Sequence, residues 1–225
     1  MSNDVLHPEI PANENPFYIW FFKWYTYYLA KIRFHKIYYR TTYLPTPSNS
    51  TLFLANHHNW WDGLIPLLLN EFVFHQHARA IMEDKQMYKH TFFSKIGAFS
   101  IDRSNAKSAI SSLIYGAEWL KSPNNSLFVY PEGKITSPYE AIDCEKGFSR
   151  IIDGSPEAEV VALTILTSHH LSSKPSLFID IQSINELKSI DTASERTKQL
   201  NAILNRNRFK LSLDAIHNIN EFKEL

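Results

Sequence analysis

His57 and Asp62 stand five positions apart in the run Asn56-His57-His58-Asn59-Trp60-Trp61-Asp62. An imidazole is the side chain best suited to take up and return a proton near neutral pH. A carboxylate that accepts from one ring nitrogen fixes the tautomer and supports the imidazolium. The other nitrogen is then free to receive a proton from a hydroxyl. On a regular helix an offset of five points two side chains to different faces. The pair can therefore meet only if His57 sits in a turn before a helix and Asp62 folds back to it. Taken alone, the run is equally what a histidine-rich helix cap would show.

Two further blocks carry groups of the same kind. Ser100-Ile101-Asp102-Arg103 closes a short strand. An arginine at a strand exit suits a phosphate or another anion, although a surface ion pair would look the same. In Val129-Tyr130-Pro131-Glu132-Gly133-Lys134-Ile135-Thr136-Ser137 a buried strand ends in turn chemistry. There Gly133 lets a substrate approach the main chain closely, Glu132 can orient a hydroxyl, and Lys134 can meet an anion. An ordinary turn is the plainer reading. His58 is expected to turn away from His57 as its neighbour in the chain. His75, His77, His169 and His170 read as loop residues, with no third ligand in sight for a metal.

The elements that must position these blocks alternate between strand and helix. TLFLAN (51–56), residues 78–82, GAFSID (97–102), SLFVY (126–130), EVVALTIL (159–166) and SLFIDI (176–181) read as strands. Residues 59–74 and 105–121 read as helices with an apolar stripe. Thr192 and Glu195 form a capping box for a helix running to about residue 205. This order predicts an α/β fold with a mostly parallel central sheet flanked by helices. In such sheets, sites gather at the loops leaving the strand ends, where all three blocks fall.

The segment FYIWFFKWYTYYLAKIRFHKIYYR (17–40) reads as one or two helices crowded with aromatic rings. No acid occurs between Glu14 and Asp62, whereas Lys23, Lys31, Arg33, Lys36 and Arg40 do. A helix packed on the core could have the same periodicity, but basic charge without acid favours a helix lying on a membrane surface. The polar start of the chain lacks the pattern of a signal peptide. No run reaches the roughly 18 apolar residues of a spanning helix.

The 225 residues carry 23 basic and 23 acidic side chains, for a formal net charge of zero. That balance argues against a nucleic-acid partner. Six glycines are few for a dinucleotide-binding fold. Cys144 is the single cysteine, so neither an internal disulfide nor a cysteine-based zinc site can form.

Together and in this order, the three blocks resemble the glycerophospholipid acyltransferases, the group that includes the lysophosphatidic acid acyltransferases. The family's Asn-His-x-x-x-x-Asp is matched by Asn56, His57 and Asp62, and its arginine after a short strand by Arg103. Its Pro-Glu-Gly-Thr-Arg-Ser is matched in part by Pro131, Glu132 and Gly133, and a downstream Lys-Gly by Lys146 and Gly147. The resemblance covers residues 17–185. It implies residues 1–43 as a membrane-associating helical segment and 44–225 as the acyltransferase domain. His57 would be the general base and Asp62 its partner, with Arg103, Glu132, Gly133 and Lys134 binding substrate. It implies no metal and no cofactor. The donor would be acyl-CoA or acyl carrier protein, the acceptor a membrane lipid, and the site of action the cytoplasmic face of a membrane.

Two departures bear on the acceptor. Lys134-Ile135-Thr136 replaces Thr-Arg-Ser, and Ile135 cannot hold the acceptor phosphate that the family's arginine is associated with. The family's Val-Pro-Val strand reads Val160-Val161-Ala162 here, without proline. An acceptor without glycerophosphate, such as a glycosylated or hydroxylated lipid, therefore stands beside 1-acylglycerol-3-phosphate. A non-catalytic lipid-binding module would be expected to have lost His57 or Asp62. A hydrolase would need a serine or metal partner that the sequence does not offer.

Overall fold

The computed structural model describes residues 7–225. Eight strands form one sheet: β1 (Ile37–Thr41), β2 (Thr51–Ala55), β3 (His77–Glu83), β4 (Ala98–Ile101), β5 (Asn125–Val129), β6 (Glu159–Ser168), β7 (Ser176–Ser183) and β8 (Lys223–Glu224). Their order across the sheet is β4-β3-β5-β2-β6-β7-β1-β8. Only β6 with β7 and β1 with β8 pair antiparallel. The other pairings are parallel, so the mostly parallel α/β architecture is as expected.

Among the described residues, six helices accompany the sheet: α1 (Pro16–Arg33), α2 (Ile65–Leu69), α3 (Asp84–Lys89), α4 (Ala106–Leu120), α5 (Phe148–Gly154) and α6 (Ala193–His217). Every residue of β2 is buried. Its side chains alternate between two cores, as the period of a strand requires. Leu52 and Leu54 join Leu127, Val129, Val160 and Ala162 under α4, α5 and α6. Phe53 and Ala55 join Phe128, Val161 and Leu163 under α1 and α2. The sheet is thus covered on both faces.

Several expectations are corrected in extent. The helical reading of residues 17–40 holds only to Arg33. Phe34 leaves the helix in an extended conformation, and residues 37–41 enter the sheet as β1, parallel to β7. Ile37-Tyr38-Tyr39 is β-prone, and Arg40 is held there by Asp180 and Asp214, each at 2.7 Å. Residues 59–74 form three short pieces, a 3-10 turn at Trp60–Gly63, α2, and a π turn at Asn70–Phe74. Helix α6 starts at the expected Thr192 cap but runs to His217, because Leu211 and Ala215 bury against Phe178. His77 opens β3 rather than lying in a loop.

Helix α1 buries Thr26 and Ala30 and stacks Phe22 on Phe92 at 4.5 Å. Its opposite face leaves Phe17, Trp20, Phe21, Trp24, Tyr25 and Tyr28 exposed. No helix among the described residues is long and apolar enough to cross a membrane.

Candidate active site

The first block leaves β2 at the carboxyl end of the sheet. Asn56 follows the last ladder residue, and its side chain continues the pairing with β6. Its Oδ1 accepts the Ile165 N–H at 2.7 Å, and its Nδ2 donates to the Ile165 carbonyl at 3.0 Å. An asparagine amide here does what a further strand residue would do, and it frees the main chain to turn. The chain then enters the 3-10 turn with Asn59 as N-cap. The Asn59 side chain accepts the Trp61 N–H, while the Asp62 carboxylate reaches back to the Asn59 N–H at 2.9 Å. This capping box is the physical reason that a spacing of five works. The same fold-back brings Asp62 Oδ2 to 3.2 Å from His57 Nδ1.

Asp62 is fully buried, whereas the His57 side chain keeps 19% of its surface exposed. Asp62 Oδ2 also accepts the His58 N–H at 2.7 Å, so one oxygen gathers two main-chain donors and an imidazole. With Nδ1–H directed at Asp62, the His57 Nε2 lone pair is the free basic position. Tyr130 lies against the His57 ring, with centroids 4.6 Å apart, and its hydroxyl donates to the Asp62 carbonyl. Burial pushes the Tyr130 hydroxyl well above its usual range, so it stays a neutral donor. In the sequence Tyr130 is indistinguishable from any aromatic strand residue.

His58 does not turn away as expected. Its ring is nearly buried, with Nδ1 3.3 Å from the same Asp62 oxygen. The Asn59 amide is oriented by its bond to Trp61, so its Nδ2 donates to His58 Nε2 at 3.0 Å. That places the His58 proton on Nδ1, facing Asp62. Thr167, near the end of β6, completes the group at 3.2 Å from His58 Nε2. Burial holds His58 below its ordinary pKa, against the opposing pull of Asp62.

The third block is tied to the first. Glu132 is 2% exposed. Its Oε2 accepts the His57 N–H at 2.7 Å, and its Oε1 accepts from the Thr136 hydroxyl at 2.5 Å. Thr136 in turn donates its N–H to the His57 carbonyl at 2.9 Å. The Glu132 carboxylate is thereby engaged with the protein itself. Gly133 has φ +64°, and a Cβ there would meet the Arg103 guanidinium at 2.7 Å. Arg103 donates to the Gly133 carbonyl at 2.6 Å and pairs with Glu145, so the second block is seated on the third. Lys134 is exposed and without an ion pair among the described residues, and Ile135 is exposed beside it.

The geometry thus brings together His57, Asp62, Glu132, Gly133 and Arg103 and leaves Lys134 on the rim. Cys144 is buried, and burial raises its thiol far above the usual range, which makes it inert. A groove of 690 Å³ between α4 and α5 is lined by Leu113, Ala117, Lys146 and Arg150, among others, and by none of the five residues above. The His57–Asp62 pair lies at the strand ends and not in that groove.

Residues 31–166 match the protein family described as Acyltransferase. No curated protein matches the chain. Among solved structures, the fold is similar to a crystal structure of the 1-acyl-sn-glycerophosphate (LPA) acyltransferase PlsC from Thermotoga maritima. The TM-score is 0.62 at 15% identity, covering 86% of this chain and 79% of that one. At that identity the likeness concerns the fold.

Proposed function

Since the chain belongs to the acyltransferase family, we propose that it moves a fatty acyl group from an acyl thioester, acyl-CoA or acyl carrier protein, onto the hydroxyl of a lipid acceptor. The observation that carries this reading is the His57–Asp62 pair, with Nδ1 held at 3.2 Å and Nε2 left free. His57 Nε2 takes the acceptor's hydroxyl proton as the oxygen attacks the thioester carbonyl. The tetrahedral centre collapses with cleavage of the carbon–sulfur bond, and the proton passes from His57 to the departing thiolate. Buried Asp62 stabilises the imidazolium between the two transfers. No protein nucleophile is needed, consistent with the inert Cys144.

The acceptor class proposed first is 1-acylglycerol-3-phosphate, with Arg103, Gly133 and Lys134 around it and Glu132 holding the His57 main chain. Ile135, exposed at 53% where the resembled motif has arginine, favours a second reading, an acceptor without glycerophosphate. The exposed aromatic face of α1, with Trp60 exposed beside the site, supports action at a membrane surface. Residence there spares an acyl chain exposure to water, at about 0.8 kcal/mol per methylene. The cytoplasmic face is proposed because acyl-CoA and acyl carrier protein are the expected donors.

The test is an acceptor screen in lipid vesicles with labelled acyl-CoA and acyl carrier protein, with His57→Ala alongside. Transfer that is lost in His57→Ala supports the mechanism, and the acceptor that works decides between the two classes. Equal activity of the alanine variant would overturn it.

A further inference from the structure

The partly buried arginines of this chain are matched with carboxylates, with one exception. Arg40 pairs with Asp180 and Asp214, Arg79 with Glu14, and the more deeply buried Arg196 with Asp153. Arg208 is also partly buried, yet among the described residues no carboxylate lies within ion-pair distance of it. Its Nη2 donates to the Glu140 carbonyl at 2.6 Å and approaches Asn205 Oδ1 at 3.4 Å. Both acceptors are neutral. A desolvated cation without a counter-charge is costly unless something supplies that charge.

Its position suggests what does. On α6, Asn201, Asn205 and Arg208 follow one another along one face. Asn201 accepts the Cys144 N–H at 2.9 Å, and Asn205 brackets Ile142 through its N–H and its carbonyl, both at 3.0 Å. The helix thus splints the loop that follows Glu132 and Gly133, and Arg208 is the charged end of the splint. Burial lowers the Arg208 pKa against the pull of Glu132. The Glu140 carbonyl that holds Arg208 belongs to the same loop whose Glu132 and Thr136 bind the His57 main chain, so that loop ties the guanidinium to the carboxyl end of the sheet. Arg103, by contrast, already has Glu145.

We infer that Arg208, delivered by α6 to the Glu132–Glu140 loop, receives a substrate phosphate and takes the place of the arginine missing at Ile135. A planar guanidinium with free nitrogens suits a phosphate monoester or diester bidentately, as Lys134 does not. The inference rests on the acyltransferase reading. The phosphate belongs to the acceptor headgroup or to the donor's coenzyme.

Binding is measured by calorimetry on the full chain. The probes are a short-chain 1-acylglycerol-3-phosphate below its micelle concentration, the matching monoacylglycerol, and coenzyme A. The proteins are the wild type, Arg208→Gln and Arg208→Lys. Arg208→Gln is expected to weaken one phosphate-bearing probe about tenfold or more, while monoacylglycerol is unaffected. Arg208→Lys, which keeps the charge, is expected to lose less, about threefold. Whichever phosphate probe responds identifies acceptor or donor. Unchanged binding of both phosphate probes, or equal weakening of monoacylglycerol, would overturn the inference. Loss of transfer activity in the wild type with Arg208-dependent binding intact would instead sink the acyltransferase reading alone.

Discussion

Glu132 accepts the main-chain N–H of His57 at 2.7 Å, so the turn after β5 fixes the backbone of His57. The carboxylate spends its second oxygen on Thr136, and Thr136 returns to the His57 carbonyl. Removing this anchor should act on catalysis through position. In Glu132→Ala the part-buried His57 N–H loses its acceptor, a cost of about 1–3 kcal/mol. A displacement of His57 by as little as about 1 Å should lower kcat on the order of 100-fold. Glu132→Gln keeps an oxygen for His57 and should retain most of both. Urea unfolding and kcat measured on the two variants check this; equal losses in both would mean that the negative charge, and not the bond, is what matters.

Asn56 supplies the strand-like pair to Ile165. Asn56→Ala leaves that N–H and carbonyl buried without partners, each costing about 1–3 kcal/mol. The variant should lower the urea midpoint and slow transfer together, because the same turn carries His57. Unchanged stability would show that water replaces the amide.

His58 is held below its ordinary pKa by burial, with Asp62 opposing. The unfolded chain therefore binds a proton at this residue, near pH 6.5, before the folded chain does, and stability falls as pH drops below that value. Above it the residue is neutral in both states and adds no slope. His58→Gln should flatten the fall of the urea midpoint between pH 7 and more acidic values. Identical slopes in the two proteins would assign the acid sensitivity to other groups.

The two faces of α1 should respond differently to serine. Phe17, Trp20 and Phe21 are exposed, and their replacement should release the chain from vesicles while the melting temperature holds. Phe22 stacks on Phe92, and Phe22→Ser should lower the melting temperature by removing core contact. Vesicle co-sedimentation and thermal unfolding separate the outcomes. Retention of the triple variant on vesicles would place the membrane contact elsewhere.

The sequence by itself determined the strands that carry the site and the pairing of His57 with Asp62. These depend on local signals: apolar runs such as residues 51–55, the turn at Pro131-Glu132-Gly133, and a capping spacing that needs only a few residues to act. The Thr192 cap was legible for the same reason. Tertiary structure alone decided what depends on distant partners. Tyr38-Tyr39-Arg40 reads as the tail of an aromatic helix until β7 pairs with it and Asp180 and Asp214 hold its arginine. His58 turns toward the site only because Asn59 donates to its far nitrogen and Thr167 lies beside it. Glu132 reads as a substrate contact until the fold gives its oxygens to His57 and Thr136. Arg208, far along the chain from every motif, acquires its place only when α6 extends to His217 and lies on the loop at Glu140. Periodicity and caps report a residue's neighbours along the chain. A buried charge or hydrogen bond is settled by neighbours across it, which no local spacing encodes.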